Sequence, residues 1–252
     1  MIWGIEMTFT NMDFVGLLNF YKNQENFPAN ARKSYDKFSE VSKSDDDEDE
    51  FKDPLIVDDN CIFDLDNMCF NSHIKENGHV KSNQPSSVDG LHFVNGRLYL
   101  IEFKGTYNAT LDLEDIMNNC IEKVNDEDLA GALNIIKNRY DDEILCHLKI
   151  KPSDSLFLTL PHIYKYYCEN MGKEYDKEEF LSWLLKVPKR LYVVFLDDVH
   201  DSERNESRSY KYLRMDKKLE QRYAPFKQIA NMENSIVTQD DFKESFIKKF
   251  FN

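Results

Sequence analysis

Asp89, then twelve intervening residues, then Glu102-Phe103-Lys104 have the residue types and spacing for hydrolytic chemistry. They lie in the stretch Ser-Val-Asp-Gly-Leu-His-Phe-Val, followed by Asn95-Gly96 and then Arg-Leu-Tyr-Leu-Ile-Glu-Phe-Lys. Asn-Gly between two β-rich runs specifies a two-residue type I′ turn, because that turn needs positive φ at both positions. The turn sets the register. Val94 faces Arg97, Phe93 faces Leu98, Leu91 faces Leu100, Asp89 faces Glu102 and Ser87 faces Lys104. Side chains alternate along a strand, so Asp89, Glu102 and Lys104 project from one face above an apolar floor of Leu91, Phe93, Leu98 and Leu100. Val88, Tyr99, Ile101 and Phe103 are expected on the other face. Two carboxylates opposed across adjacent strands have Cβ atoms roughly 4.5 to 5.5 Å apart and destabilise each other. A shared proton, a nearby ammonium or a divalent cation would relieve the repulsion. Lys104 supplies one positive charge against two negative ones, a deficit that a hard, oxygen-seeking ion such as Mg²⁺ (or Mn²⁺) would fill. Water at an exposed sheet end would relieve it as well, but Ile101 and Phe103 flank Glu102 in an apolar run.

Asp89 with Glu102-Phe103-Lys104 on a turn-defined hairpin resembles the PD-(D/E)XK nuclease superfamily, the restriction-endonuclease-like fold. The likeness covers about 20 of the 252 residues. It implies that Asp89, Glu102 and the backbone carbonyl of Phe103 ligate a metal ion, and that Lys104 positions or helps deprotonate the attacking water. Ser87-Val88 stands where proline often precedes the aspartate. The Gln-x-x-x-Tyr motif of the RecB-like branch is missing after Lys104. The first-helix glutamate of the family has no clear counterpart, with Glu25 and Glu40 both candidates.

The elements around the hairpin follow from periodicity and caps. Asn11 can cap a helix with Val15, Leu18 and Tyr21 on one face, ended by Pro28, and a second helix is expected over 31–42 with Tyr35 and Phe38 inward. Short strands are expected near Ile62 and Phe70. Beyond Lys104 the period becomes helical, with helices over 113–124, 129–140 and 153–170. In the last of these Pro161 forces a kink or restart, and Gly172 stops it. Asp176 and Glu179 form a capping box for a helix running to Val187. Leu191–Leu196 reads as a strand buried on both faces, pairing parallel to the Glu102 strand. Thr238 and Asp241 cap a closing helix lined by Phe242, Phe246 and Phe250. Apolar residues on both faces of the hairpin call for helices on both sides. The expected fold is therefore α/β, a mixed central sheet flanked by helices on both faces, restriction-endonuclease-like, in a single domain over 1–252. An acidic flexible loop spans 42–53, and a mostly helical crossover or insertion spans 111–187.

Composition narrows the partners. The net charge is −14, and the unbroken acidic run Asp45–Glu50 leaves −8 for the rest, so nucleic-acid binding must rest on local chemistry. That chemistry is present from Arg204 to Lys227, where eight basic residues stand against three acids, with Tyr210, Tyr212, Tyr223 and Phe226 interleaved. Arg204, Arg208, Lys211, Arg214, Lys218 and Arg222 are the candidate phosphate contacts, and the aromatics could stack on bases. An ordinary solvated segment is the rival for this stretch. The five cysteines are odd in number with no Cys-x-x-Cys, and no histidine pair has metal-ligand spacing, which points away from disulfides and zinc. No apolar run approaches the ~20 residues of a membrane span, and the N-terminus lacks the basic start of a secretory signal. A cytoplasmic protein is expected, with a homodimer left open.

These features together lead to a divalent-metal-dependent nuclease, a hydrolase of phosphodiester bonds, with DNA favoured over RNA. Two rivals come from other classes. A chain this acidic can act without catalysis, as a nucleic-acid mimic or interaction protein on a degenerate nuclease fold. Two carboxylates about 5 Å apart also match a retaining glycosidase pair, although the lysine two residues on argues against it.

Overall fold

A computed structural model of the chain describes residues 9–43, 54–73, 85–104, 119–123, 129–135, 150–195, 221 and 223–251. The fold is α/β and centres on a six-stranded mixed sheet in the order β1 to β6. Strands β1 (Tyr35–Lys37), β2 (Cys61–Asp64), β3 (Gly90–Val94) and β4 (Arg97–Lys104) form an antiparallel meander. β5 (Lys189–Phe195) and β6 (Met232–Thr238) then add parallel to β4.

The β3–β4 hairpin takes the register that its turn dictates: Leu91 pairs with Leu100, Phe93 with Leu98 and Val94 with Arg97. Asn95 and Gly96 have φ of 52° and 70°, as a type I′ turn demands. Alternation along the strands then divides the core in two. Leu91, Leu98, Leu100, Leu191, Val193 and Phe195 face one cluster, covered by α1 (Asn11–Lys22), α3 (Leu65–His73), α4 (Leu160–Met171) and α5 (Lys177–Lys186). Ile62, Tyr99, Ile101, Phe103, Tyr192 and Val194 face the other, covered by α2 (Phe38–Val41) and by Phe242, Phe246 and Ile247 of the C-terminal helical run 239–251. Helices therefore flank both faces of the sheet.

The elements that carry the site have clear local causes. The helical run that leads into α4 is described from residue 150 onward and passes through a π turn at Ser155–Thr159, where the Leu160 N–H reaches back to the Ser155 carbonyl. Pro161 sits in the first turn of α4 and has no N–H to give, so the widened turn next to it carries the helix past a missing bond. Gly172 closes α4 at φ 62°, and Asp176 caps α5 by accepting from the Glu179 N–H at 2.9 Å. Parallel pairing runs over the whole of β5, with Glu102 beside Val193 and Lys104 beside Phe195.

Several expectations are corrected. Thr10, not Asn11, caps α1, through a capping box with Asp13. The buried face of α1 is Phe14, Leu17, Leu18 and Tyr21, while Val15 is exposed. Residues 31–42 make a short strand and one helical turn instead of a helix, because Tyr35–Lys37 pairs with Cys61–Phe63. Phe70 lies in α3, not in a strand. Val88 packs with Leu91 and Leu100 rather than on the opposite face, because regular pairing begins only at Gly90. β6 was not expected at all. Most of the acidic run's loop (44–53), and residues 111–118, 124–128 and 136–149 of the connection, lie outside the described residues.

The turn is the element that sets the register, so it is the point to test. Gly96→Ala places a Cβ at positive φ and 3.2 Å from the Asn11 side chain. Urea unfolding is expected to show a loss of about 1–2 kcal/mol, and an unchanged midpoint would show that the turn does not constrain the hairpin.

Candidate active site

Asp89 precedes β3 by one residue, and each of its three oxygens is engaged. Its carbonyl accepts the Leu65 N–H at the start of α3, at 3.0 Å. Oδ2 accepts the Phe103 N–H at 2.6 Å, and Oδ1 lies 3.2 Å from Lys151 Nζ. The sheet thereby ties the Asp89 carboxylate directly to the strand that carries Glu102.

Glu102 is 1% exposed. Its Oε1 lies 2.7 Å from Lys104 Nζ and 2.9 Å from Lys151 Nζ, and Oε2 has no hydrogen-bond partner among the described residues. Burial, and after it the charge of Asp89, push the Glu102 carboxyl up to about 7, while Lys104 and Lys151 pull the other way. Lys151 itself feels burial, which favours its neutral form. Asp89 and Glu102 outweigh burial and raise its pKa above the ordinary lysine value. A third carboxylate, Asp66 in the first turn of α3, also acts on Lys151 and accepts a hydrogen bond from the Ser87 hydroxyl.

The structure brings Asp89 and Glu102 to the same Lys151 ammonium and Lys104 to Glu102, but Asp89 is not the ladder partner of Glu102 as expected: pairing ends at Gly90–Ile101, and the Asp89 carboxylate takes the Phe103 N–H instead. Ser87 does not pair with Lys104; its hydroxyl goes to Asp66 instead, because the ladder ends at Gly90. The visible part of Phe103 at this site is its N–H on Asp89. Glu25 lies in an exposed 3₁₀ turn and Glu40 pairs with Lys43, so neither is seen to join the cluster.

Sequence reading missed Lys151. It lies 62 residues beyond Asp89 and arrives through the connection between β4 and β5, so no local pattern marks it. Ser155, one helical turn further on, accepts the Val88 N–H at 2.9 Å and donates to the Lys151 carbonyl at 2.7 Å. Residues four apart share a helix face, and this face grips the segment that ends in Asp89. The i, i+4 spacing of Lys151 and Ser155 is the one signal the sequence held.

Arg204, Arg208, Lys211, Arg214, Lys218 and Arg222 lie outside the described residues. Of the interleaved aromatics, Tyr223 is 1% exposed and belongs to the core with Phe226 packed against it, so Tyr223 does not offer its ring for stacking on bases. Burial, and then the charge of Glu102, raise the Tyr223 pKa, which places this residue near the site.

The donor set can be tested against a divalent cation. Two carboxylate oxygens, Asp89 Oδ1 and Glu102 Oε1, already converge on one positive charge, the Lys151 ammonium. A buried carboxylate oxygen, Glu102 Oε2, has no donor among the described residues. Anionic oxygens around a cation locus suit a hard ion. Among the described residues, no group of three or more His, Cys, Asp or Glu side chains is gathered to hold a metal, so protein carboxylates would supply only part of its shell, as is usual for Mg²⁺. No helix among the described residues is long and apolar enough to cross a membrane. Comparison of the chain with protein-family models, curated proteins and solved structures finds no match.

The position of Glu102 has a pH signature in metal-free protein. Its folded pKa of about 7 lies above the ordinary 4.5, so between these values the folded state holds a proton that the unfolded state has lost. The stability this contributes is complete below about pH 4.5 and is lost as pH rises through about 7. With a chelator present, Glu102→Gln is expected to gain stability over the parent between about pH 5 and pH 8, by on the order of a few kcal/mol. Parallel urea-stability profiles would refute this assignment.

Proposed function

We propose that the protein is a divalent-metal-dependent nuclease of the PD-(D/E)XK type, with DNA as the favoured substrate and Mg²⁺ or Mn²⁺ as cofactor. The observation that carries this reading is the meeting of Asp89, Glu102 and Lys104 at the end of a turn-registered hairpin, with a buried Glu102 and a half-buried Asp89 held against ammonium groups. The topology supports it. A helix, an antiparallel meander whose last hairpin carries Glu102 on β4 with Asp89 just before β3, and a further strand parallel to the Glu102 strand are in keeping with the restriction-endonuclease-like resemblance.

In this reading Asp89 and Glu102 hold the ion, with the Phe103 carbonyl as a further ligand. The Phe103 N–H fixes the Asp89 rotamer so that Oδ1 faces the cation locus. The bound ion would acidify water and neutralise charge developing on the phosphate oxygens. Lys104, whose side chain is 28% exposed while its Nζ touches Glu102, would orient the attacking water and help to stabilise its deprotonated form. The apolar residues around Glu102 lower the local dielectric and strengthen each of these contacts.

In sequence, Arg204, Arg208, Lys211, Arg214, Lys218 and Arg222 fall between Phe195, the register partner of Lys104, and the helical residues 223–230 that precede β6. They remain the candidate contacts for the phosphates that flank a scissile bond.

The test is cleavage of single- and double-stranded DNA and RNA by the full chain. Turnover is expected with Mg²⁺ or Mn²⁺ and not with a chelator, and Asp89→Ala and Lys104→Ala are each expected to lose about a hundredfold or more. Variants that cut as fast as the parent would remove the catalytic assignment. A parent that never cuts, but binds basic proteins in a salt-sensitive way, would favour the acidic-mimic reading.

A further inference from the structure

We propose that Lys151 is the resident cation of this site, and that a divalent ion binds by displacing its ammonium from between Asp89 and Glu102. This inference rests on the nuclease reading and deepens it. Lys151 Nζ stands 3.2 Å from Asp89 Oδ1 and 2.9 Å from Glu102 Oε1, the same two oxygens that would receive the ion. A second cation held by those oxygens would stand against the ammonium, and like charges repel strongly where water is scarce. Charge balance points the same way. With Asp66 counted, three carboxylates stand against the ammonium groups of Lys104 and Lys151, so a doubly charged ion turns a surplus of one negative charge into a surplus of one positive charge, which the departure of one ammonium relieves.

Lys151 is the one positioned to leave. Lys104 touches only Glu102 in this cluster, whereas Lys151 bridges both carboxylates and blocks the shared locus. The Lys151 side chain is 25% exposed, so its flexible four-carbon stem has a route to water. Its backbone does not share that freedom. The Lys151 carbonyl accepts from the Ser155 hydroxyl, and that hydroxyl accepts the Val88 N–H. The helix therefore stays fixed to the Asp89 segment, and the exchange is a swing of one side chain. The connection between β4 and β5 thus supplies a counter-ion that keeps a buried carboxylate pair tolerable before the ion arrives, and it raises the ion concentration needed to fill the site.

Two measurements on the full chain test this in mildly alkaline buffer. In calorimetric titration with Mn²⁺, Lys151→Met is expected to bind about tenfold tighter than the parent or more, and Lys151→Arg no tighter than the parent. In the parent itself, the rate of acylation of the Lys151 amine, read by mass spectrometry, is expected to rise several-fold with saturating Mg²⁺, and not to rise in Asp89→Asn. This arm stands even if Lys151→Met does not fold. Unchanged Mn²⁺ affinity in Lys151→Met, or an acylation rate indifferent to Mg²⁺ in a parent that binds the ion, overturns the displacement while leaving the metal site intact. No Mn²⁺ binding by either parent or Lys151→Met overturns the metal site and the displacement together.

Discussion

A carboxylate placed in the interior of a sheet governs this structure. Glu102 is almost wholly buried, with Asp89 beside it. Removing a carboxylate from water costs several kcal/mol even after the protein relaxes, and a second carboxylate adds to that cost. Apolar packing cannot offset such a term locally. The site needs positive charge, which Lys104 brings from the same strand and Lys151 from a distant helix. Backbone donors do the rest: the Phe103 N–H occupies Asp89 Oδ2 and the Leu65 N–H occupies the Asp89 carbonyl.

The need for a distant lysine ties the site to the topology. β5 pairs parallel to β4, and a parallel neighbour requires a crossover over one face of the sheet. Here the crossover covers the face that holds Leu98, Leu100 and Val193, and Glu102 projects from that same face. A helix that packs on these leucines necessarily passes over the carboxylate as well. Leu156, Leu160 and Ile163 bury themselves in the core, and Lys151, earlier in the same helical run, meets the acids. The π turn at Ser155–Thr159 lies between these two functions. It sits where the helix changes from gripping the Asp89 segment to packing on the sheet, a place where such insertions recur at functional sites.

The parts of this arrangement that could be read from the sequence are those that local chemistry specifies. Asn95-Gly96 fixed the pairing of ten residues, because few other dipeptides accept positive φ twice. Gly172, Asp176 and Thr238 marked helix ends through the backbone groups they satisfy. What escaped was set by partners remote in sequence. Tyr35–Lys37 is a strand only because Cys61–Phe63 lies beside it. β6 reads Met-Glu-Asn-Ser-Ile-Val-Thr, whose half-exposed pattern lacks the continuous apolar run that identified β5. Val88 was assigned by alternation to the wrong face, since alternation holds only while the ladder lasts. Lys151 had no strand, turn or cap to betray it.

The strong net acidity of the chain does not by itself oppose a polyanionic substrate. At physiological ionic strength, exposed charges more than about 8–10 Å apart are largely screened, so a phosphate approaching the site responds mainly to its immediate surroundings. There the count is three carboxylates, with Asp66 hydrogen-bonded to Ser87, against two ammonium groups. The connection between Phe195 and Tyr223 is neutral as a whole, because the acidic start from Asp197 to Glu203 offsets the basic stretch from Arg204 to Arg222. The potential that a substrate meets is therefore decided by which lysines face the carboxylates and which face outward. On the nuclease reading, an ion that takes the place of the Lys151 ammonium changes that count twice over, since it adds two charges at the carboxylates and frees one at the rim. A single exchange would convert a cluster with one surplus negative charge into a neutral one with a freed ammonium at its rim, where on this reading a phosphodiester would bind.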